Sequence, residues 1–494
     1  MLVAGLLGVP VPIVHDEFSY LLAADTFARG RLANPPLLPL ISAHFESVHV
    51  IVQPTYMSKY PPAQGLLLAL GQVLTGRAIV AVWLGGAALC ASMTWMLAAW
   101  LPSRWALYGG LLTLIEFGFI GTWAQSFWGG ALPAIGGALV YGGVRRVVDR
   151  PRVGPAVIMA LGVLLLANSR PWEGLCVSLP AAALLLVWTV RTARRQIGAV
   201  AVKVVAPAVV VLGIGAVMMA TYNTTVTGDA TRMPYQTHVD QYVVAPLFLW
   251  GTPRAEPPSY SHERFEAMHV GYELRAYENQ DTPAEFAYRL FRKAGSGAIE
   301  YLLPVLWLPL LALPWILRRP WMRFAFIGLL AMSVGLAVST FFLPHYAAPG
   351  LALLYVLAIQ GVRVLRVAWR RRGGRYVPLI VLLLMATHLG PALYWHHDYY
   401  ADDNAWYRQR ERMTRDLETL GGRHLVLVRY DPEYPSYREW VYNGADLDGA
   451  PVIWARELDA TSNARLVEHF ADRTAWLVYA HPHDQNWIVP YGED

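Results

Sequence analysis

Residues 14–30 read VHDEFSYLLAADTFARG, with His15, Asp16 and Glu17 placed directly behind an apolar N-terminus. A carboxylate pair at the end of a run suited to lipid raises the question of which solvent surrounds the chain, and composition answers it. Hydrophobic residues make up 55% of the 494 and charged residues only 15%, a balance far from that of soluble enzymes and suited to a chain that crosses a bilayer repeatedly. The formal charge of +5 is read by position, because the orientation of a membrane protein follows where Lys and Arg cluster between spans. It does not imply nucleic acid. Cys90 and Cys176 both lie in apolar runs, which leaves no disulfide framework and no thiolate metal site.

Working outward, about eleven apolar runs approach the length of roughly twenty residues that spans a bilayer as a helix. Residues 1–14 form a short first one; a cleaved signal peptide is the competing reading, without a basic start or a small-residue cleavage site to support it. The others are 78–101, 105–123, 129–145, 154–169, 172–190, 198–221, 299–317, 323–343, 346–362 and 376–395. The basic stretches VRRVVDRPR (144–152), RTARRQ (191–196), LRRPWMR (317–323) and RVLRVAWRRRGGR (363–375) all fall on one side of this arrangement. By the positive-inside rule that side is cytoplasmic. The N-terminus is then cytoplasmic, and the opening loop 15–77, NSRPWEG (168–174), the segment 222–298, LPHYAAP (343–349) and residues 396–494 share the opposite compartment.

The expected architecture is an all-α polytopic domain, 1–395, followed by a small soluble α/β domain, 396–494. In the latter HLVLVRY (424–430), PVIWARE (451–457) and TAWLVYA (474–480) read as three strands, and TSNARLVEHFADR (461–473) as a helix opened by a Thr or Ser cap. No glycine-rich phosphate fingerprint opens any of its helices.

The opening loop carries the chemistry. Phe18, Leu21 and Leu22 recur at helical spacing up to a Gly30 stop, which reads as an amphipathic helix on the bilayer surface. Acidic residues also suit a helix start as caps, so the sequence leaves Asp16 and Glu17 open between capping and chemistry. HFESVHVIVQPTYMSKYPPAQG (44–65) adds His44, Glu46, His49, Tyr56, Lys59 and Tyr60 to the same compartment, and ionisable groups held at membrane level mark sites. His44, Glu46 and His49 are ligand types for a divalent metal, although their spacing matches no helical histidine pair. Glu116 lies mid-span, where a structural hydrogen bond and a functional role stand as equals.

A first span, an Asp-Glu pair with an aromatic helix, and a Lys-Tyr-Pro-Pro segment ahead of the next apolar helix resemble the GT-C superfamily of glycosyltransferases. The likeness is strongest to family 39, the polyprenyl-phosphate-dependent mannosyl and aminoarabinosyl transferases, and covers roughly 1–395. It implies a lipid-linked sugar donor bound where the first loop meets the bilayer, with Asp16 as catalytic base and Glu17 as second member of the pair, orienting acceptor or metal. It also implies Lys59 on the donor phosphate, although KYPP holds one residue more than the family's Lys-Pro-Pro. AQSFWGGA (124–131) lacks the acidic residue that some relatives carry in the second outer loop.

The chemistry suits these residue types. A carboxylate that takes the acceptor proton as the new bond forms accelerates transfer, typically by about 100 to 10,000-fold. The departing lipid phosphate needs cations fixed in place beforehand, for which Lys59 and Arg170 are the candidates. Arg170 also fits interfacial snorkelling or pairing with Glu173. His345 and Tyr346 are expected as donor contacts, and His15, Tyr60 and Trp128 as substrate contacts, Trp128 by stacking on a sugar ring.

The resulting expectation is an inverting glycosyltransferase in a bacterial inner membrane. It moves a sugar from a polyprenyl-phosphate donor to a glycan, lipid or protein hydroxyl on the extracytoplasmic face. A polytopic transporter or lipid flippase is the alternative, although no internal repeat supports it and the ionisable groups gather at one face.

Overall fold

The computed structural model describes residues 8–118, 121–191, 194–402, 404–482 and 486–492. Among them six helices are long and apolar enough to cross a membrane. With two shorter apolar helices, the opening helix and the 19-residue helix Ala131–Asp149 they run α1 (His15–Ala28), α2 (Ala63–Thr75), α3 (Ala78–Trp100), α4 (Ala131–Asp149), α5 (Val153–Ala167), α6 (Pro171–Arg191), α7 (Ile197–Thr227), α8 (Pro320–Ala337), α9 (Pro344–Ala368) and α10 (Gly374–His396). The six are α3, α6, α7, α8, α9 and α10.

The remaining expected spans are shorter or broken, for local reasons. Run 105–123 is helical over Ser103–Thr113 and then widens into a π turn at Leu114–Gly118. Run 299–317 holds Pro304, Pro309 and Pro314, each without an amide hydrogen, and breaks into the short helices Trp307–Leu310 and Leu313–Ile316. Of the expected first span, residues 1–7 lie outside the described residues. Residues 8–14 are not helical, and Val11 and Ile13 pack against the cluster around Trp406.

α4 and α9 sit at the centre of the bundle, and small residues allow the approach. A Cβ on Gly137 would stand 1.9 Å from the Pro349 carbonyl oxygen, so only glycine fits that crossing. The same helices separate two chemistries. α4 begins three residues after Trp128 and ends at Arg145, Arg146 and Asp149, a rise of about 28 Å. α9 carries His345 as its second residue and reaches Arg363 near its far end. There Arg145 lies 4.2 Å from the Trp321 ring, and Arg363 is within electrostatic reach of Arg319 and Arg104. Cations from three of the four basic stretches thus gather at the end of the bundle remote from His345.

The C-terminal sheet corrects the three-strand expectation. With the two-stranded β1 (Val50–Ile51) and β2 (Met57–Ser58) of the opening loop counted first, its strands are β3 (His424–Tyr430), β4 (Val452–Arg456), β5 (Thr474–Ala480) and β6 (Trp487–Pro490). Their order is β4-β3-β5-β6, parallel across the first three and antiparallel at β6. β6 is a four-residue edge strand, too short to show alternation in the sequence. Helix α11 (Trp406–Leu420) stops at Gly421 and Gly422, whose φ angles of 76° and 84° suit glycine. Helix α12 (Ala460–His469) is capped by Asp459, which accepts from the amides of Thr461 and Ser462, rather than by a Thr or Ser.

The sheet builds its core jointly with the opening loop: Leu22, Ile41, Phe45 and Val50 pack with Leu425, Leu427, Ile453 and Leu477. Consequently α1 is no surface helix. Nine of its fourteen residues are buried, because α2 covers one side and the sheet segments cover the other.

Candidate active site

The N-terminus of α1 presents its two carboxylates in different directions, as consecutive helix residues must. Glu17 turns inward and is buried. One of its oxygens accepts from the Ile13 amide at 2.7 Å and the Val14 amide at 3.2 Å, and the other from the Phe127 amide at 2.8 Å. It caps its own helix and ties that helix to the stretch before α4. Burial pushes its carboxyl up to about 7, against the three amides, which favour the charge.

Asp16 faces the other way, with its side chain 15% exposed. The Tyr60 hydroxyl donates to its Oδ1, and His49 Nε2 stands 3.8 Å from its Oδ2. Tyr20, one turn along α1, stacks on Tyr60 with ring centroids 4.6 Å apart. The strand pair β1–β2 fixes this edge: Ser19 bonds both the His49 carbonyl and the Ser58 hydroxyl, so His49 and Lys59 are locked to α1.

Lys59 is buried, with its Nζ 5.5 Å from the Tyr60 ring centre and 5.0 Å from that of Tyr235. Burial pushes the ammonium down to about 8 against the attraction of Glu273 and Asp16, and Arg170 adds a repulsion from across the site. Arg170 precedes α6 and lays its guanidinium 4.0 Å from the ring centre of Tyr346. Among the described residues it forms no ion pair with Glu173. Trp128 and His345 complete the far wall with ring centroids 5.0 Å apart. Trp128 Nε1 and His345 Nε2 are buried with no partner among the described residues, and such groups cost about 1–3 kcal/mol each unless something polar arrives.

Asp16, Tyr60, Lys59, Arg170, Trp128, His345 and Tyr346, dispersed over 331 positions of the sequence, are therefore brought within electrostatic reach or ring contact of one another. His15 instead points to the C-terminal piece, its Nε2 3.2 Å from the Ser436 carbonyl. Four residues of the site are absent from the sequence expectation. Tyr235 and His238 come from the helix Pro234–Tyr242, and His269 and Glu273 from the π-helical turn Ala267–Leu274, in which His269 Nδ1 lies 2.7 Å from a Glu273 oxygen. The four-residue spacing of the latter pair was the available signal.

The metal expectation is corrected by the placement of its ligands. His44 directs its two nitrogens at the carbonyls of Arg456 (2.7 Å) and Ser462 (3.3 Å), Glu46 accepts from Ser261 and Tyr242, and only His49 faces Asp16. The three do not converge, and among the described residues no group of three or more ligand-type side chains is arranged to hold a metal ion.

No family model and no curated protein sequence matches the chain. Solved structures do. ArnT from Cupriavidus metallidurans in the apo state aligns at a TM-score of 0.55 and 13% identity, over 96% of this chain and 89% of that one. ArnT from the same organism bound to undecaprenyl phosphate aligns at 0.58 and 14%, over 97% and 91%. The chain therefore has the fold seen in these two ArnT structures.

Proposed function

We propose that the chain is an inverting glycosyltransferase of the bacterial inner membrane that takes a sugar from a polyprenyl-phosphate-linked donor and passes it to an acceptor hydroxyl on the extracytoplasmic face. One observation carries the reading: a carboxylate whose second oxygen has only His49, at 3.8 Å, beside it stands near a lysine and an arginine that form no ion pair with a carboxylate among the described residues. That pairing of base and paired cations suits attack by a hydroxyl with departure of a phosphate.

In this reaction the acceptor oxygen attacks the anomeric carbon from the face opposite the phosphate. The carbon–phosphate-oxygen bond breaks, its electron pair stays with the lipid phosphate, and the hydroxyl proton passes to Asp16. Tyr60, by holding Oδ1, leaves Oδ2 to take the proton. Lys59 and Arg170 balance the charge that grows on the phosphate, Arg170 held flat on Tyr346 for it. Glu17 positions α1 through three amides instead of touching the acceptor. Trp128 and His345 offer unpaired donors to the sugar or the phosphate. The bound ArnT structure holds undecaprenyl phosphate, a ligand of the class that this site suits.

Binding of undecaprenyl phosphate to the purified chain, followed by native mass spectrometry, tests the assignment. Lys59→Met and Arg170→Gln are expected to weaken binding about tenfold or more each, and Asp16→Asn to leave it intact. Equal binding by all three variants would refute the phosphate grip. A flippase would scramble lipids in vesicles without transferring sugar.

A further inference from the structure

A row of imidazoles leads away from Asp16 into the protein. His49 Nε2 faces Asp16 at 3.8 Å; the His49 and His238 ring centres are 6.2 Å apart, those of His238 and His269 5.8 Å, and His269 Nδ1 ends on Glu273 at 2.7 Å. An N–H···N bond of about 2.9 Å places two imidazole centres roughly 5.2 Å apart, so each gap closes with a ring shift of about 1 Å or less. His238 and His269 have no exposed surface. His49 Nδ1, both nitrogens of His238 and His269 Nε2 lack hydrogen-bond partners among the described residues, although the Val48 carbonyl acts on both His49 and His238. Buried imidazole nitrogens without a hydrogen-bond partner among the described residues are costly if the rings serve only packing, where apolar rings of the same shape would be cheaper.

We propose that His49, His238 and His269 form a buried proton relay that draws the acceptor's proton from Asp16 and delivers it to Glu273. The inference rests on Asp16 being the base. With donor and acceptor bound, the Asp16 side chain, already only 15% exposed, is sealed from water and must lose its proton by another route before the next turnover. The protonated carboxyl of Asp16 gives its proton to His49 Nε2. His49 releases the proton of its other nitrogen to His238, His238 does the same to His269, and His269 releases one to Glu273, whose side chain keeps 10% of its surface exposed. No atom other than hydrogen moves, and ring flips restore the row.

The surroundings keep the relay passing protons instead of storing them. Burial, then the nearby Lys59 charge, hold His49 and His238 neutral, with one donor and one acceptor nitrogen each. Tyr60 flanks His49, and Tyr242, Tyr260 and Phe265 enclose His269. At the other end His15, 6.0 Å from His49, faces Glu439 and Arg264 and leads to the Ser436 carbonyl, which cannot accept a proton for export.

The test replaces His238. In wild-type membranes supplied with lipid-linked sugar, His238→Phe is expected to lower kcat about 100-fold with little change in donor KM. His238→Ala, which leaves a ring-sized space, is expected to regain activity with added imidazole. Wild-type turnover in the Phe variant, or no rescue of the Ala variant, overturns the relay. Nitrogen-15 histidine NMR of the substrate-free chain, assigned by difference against His238→Phe, decides separately from the reaction. Hydrogen-bonded neutral imidazoles at 49 and 238 support the relay and isolated ones overturn it. Absence of any sugar transfer by the wild type would instead remove the reading of the reaction and leave the NMR result to judge the row.

Discussion

Glu439→Gln should destabilise the junction between the C-terminal sheet and the opening loop, and the structure sets the size of the effect. Arg456 and Glu439 form an ion pair at 2.8 Å with side chains 3% and 2% exposed. Glu439 also accepts from the Tyr430 hydroxyl and, at 2.9 Å, from the Val441 amide, and Arg456 reaches the Glu46 carbonyl in the opening loop at 3.2 Å. Burial works against the Glu439 charge, yet Arg456, Arg264 and His15 hold its carboxyl at about 2, below the ordinary 4.5. That interval corresponds to about 3 kcal/mol of folding stability. Glutamine preserves the shape and an acceptor but leaves Arg456 buried beside Arg264 without its anion, a change that typically costs about 3–5 kcal/mol. Because the folded carboxyl lies below its unfolded value, the wild type keeps this stability above about pH 4.5. It loses it as the pH falls towards 2. Thermal unfolding of the detergent-purified chain should show the variant about 5 °C or more below wild type at pH 7, with the two curves converging in acid. Curves that stay parallel across that range would refute the reasoning.

Other substitutions probe the site and its frame. Since burial pushes Lys59 down to about 8, undecaprenyl phosphate binding should be full below that pH and weaken above it, and Lys59→Arg should remove the alkaline loss; identical pH profiles would contradict this. Gly137→Val places a side chain against the Pro349 carbonyl and should abolish recovery of folded protein, checked by size-exclusion of the solubilised chain. Phe18 is 2% exposed and stacks on Tyr442 at 3.8 Å, so Phe18→Ala should cost about 3–5 kcal/mol and expose the sheet to limited proteolysis.

The sequence disclosed the residues whose charge contrasts with their surroundings. Asp16, Lys59, Arg170 and His345 each stand beside an apolar run, and a charge at such a boundary is conspicuous whatever the fold. The exact helix count was less legible, because hydropathy does not register the prolines that divide 299–317 or the π turn after Thr113. Glu17 read as half of a catalytic pair because adjacency in sequence hides the turn of about 100° between consecutive helix residues. Tyr235 and His238 were illegible for a different reason, and for His269 and Glu273 only the four-residue spacing hinted at a pair. They sit in a polar segment of mixed composition, and only its folding over β1 and β2 brings them to Lys59. His44 and Glu46 likewise looked like ligands until the sheet supplied a partner for the first and Tyr242 and Ser261 supplied those of the second.

The central claim is that Asp16 performs proton abstraction in sugar transfer from a lipid phosphate. It is tested most directly in proteoliposomes holding the purified chain, a polyprenyl-phosphate-linked radiolabelled sugar and a membrane extract as acceptor source. The wild type should transfer label while Asp16→Asn, folded and still binding undecaprenyl phosphate, falls by about 100-fold or more. Undiminished transfer by Asp16→Asn, or lipid scrambling by the wild type with no transfer of label, would contradict it.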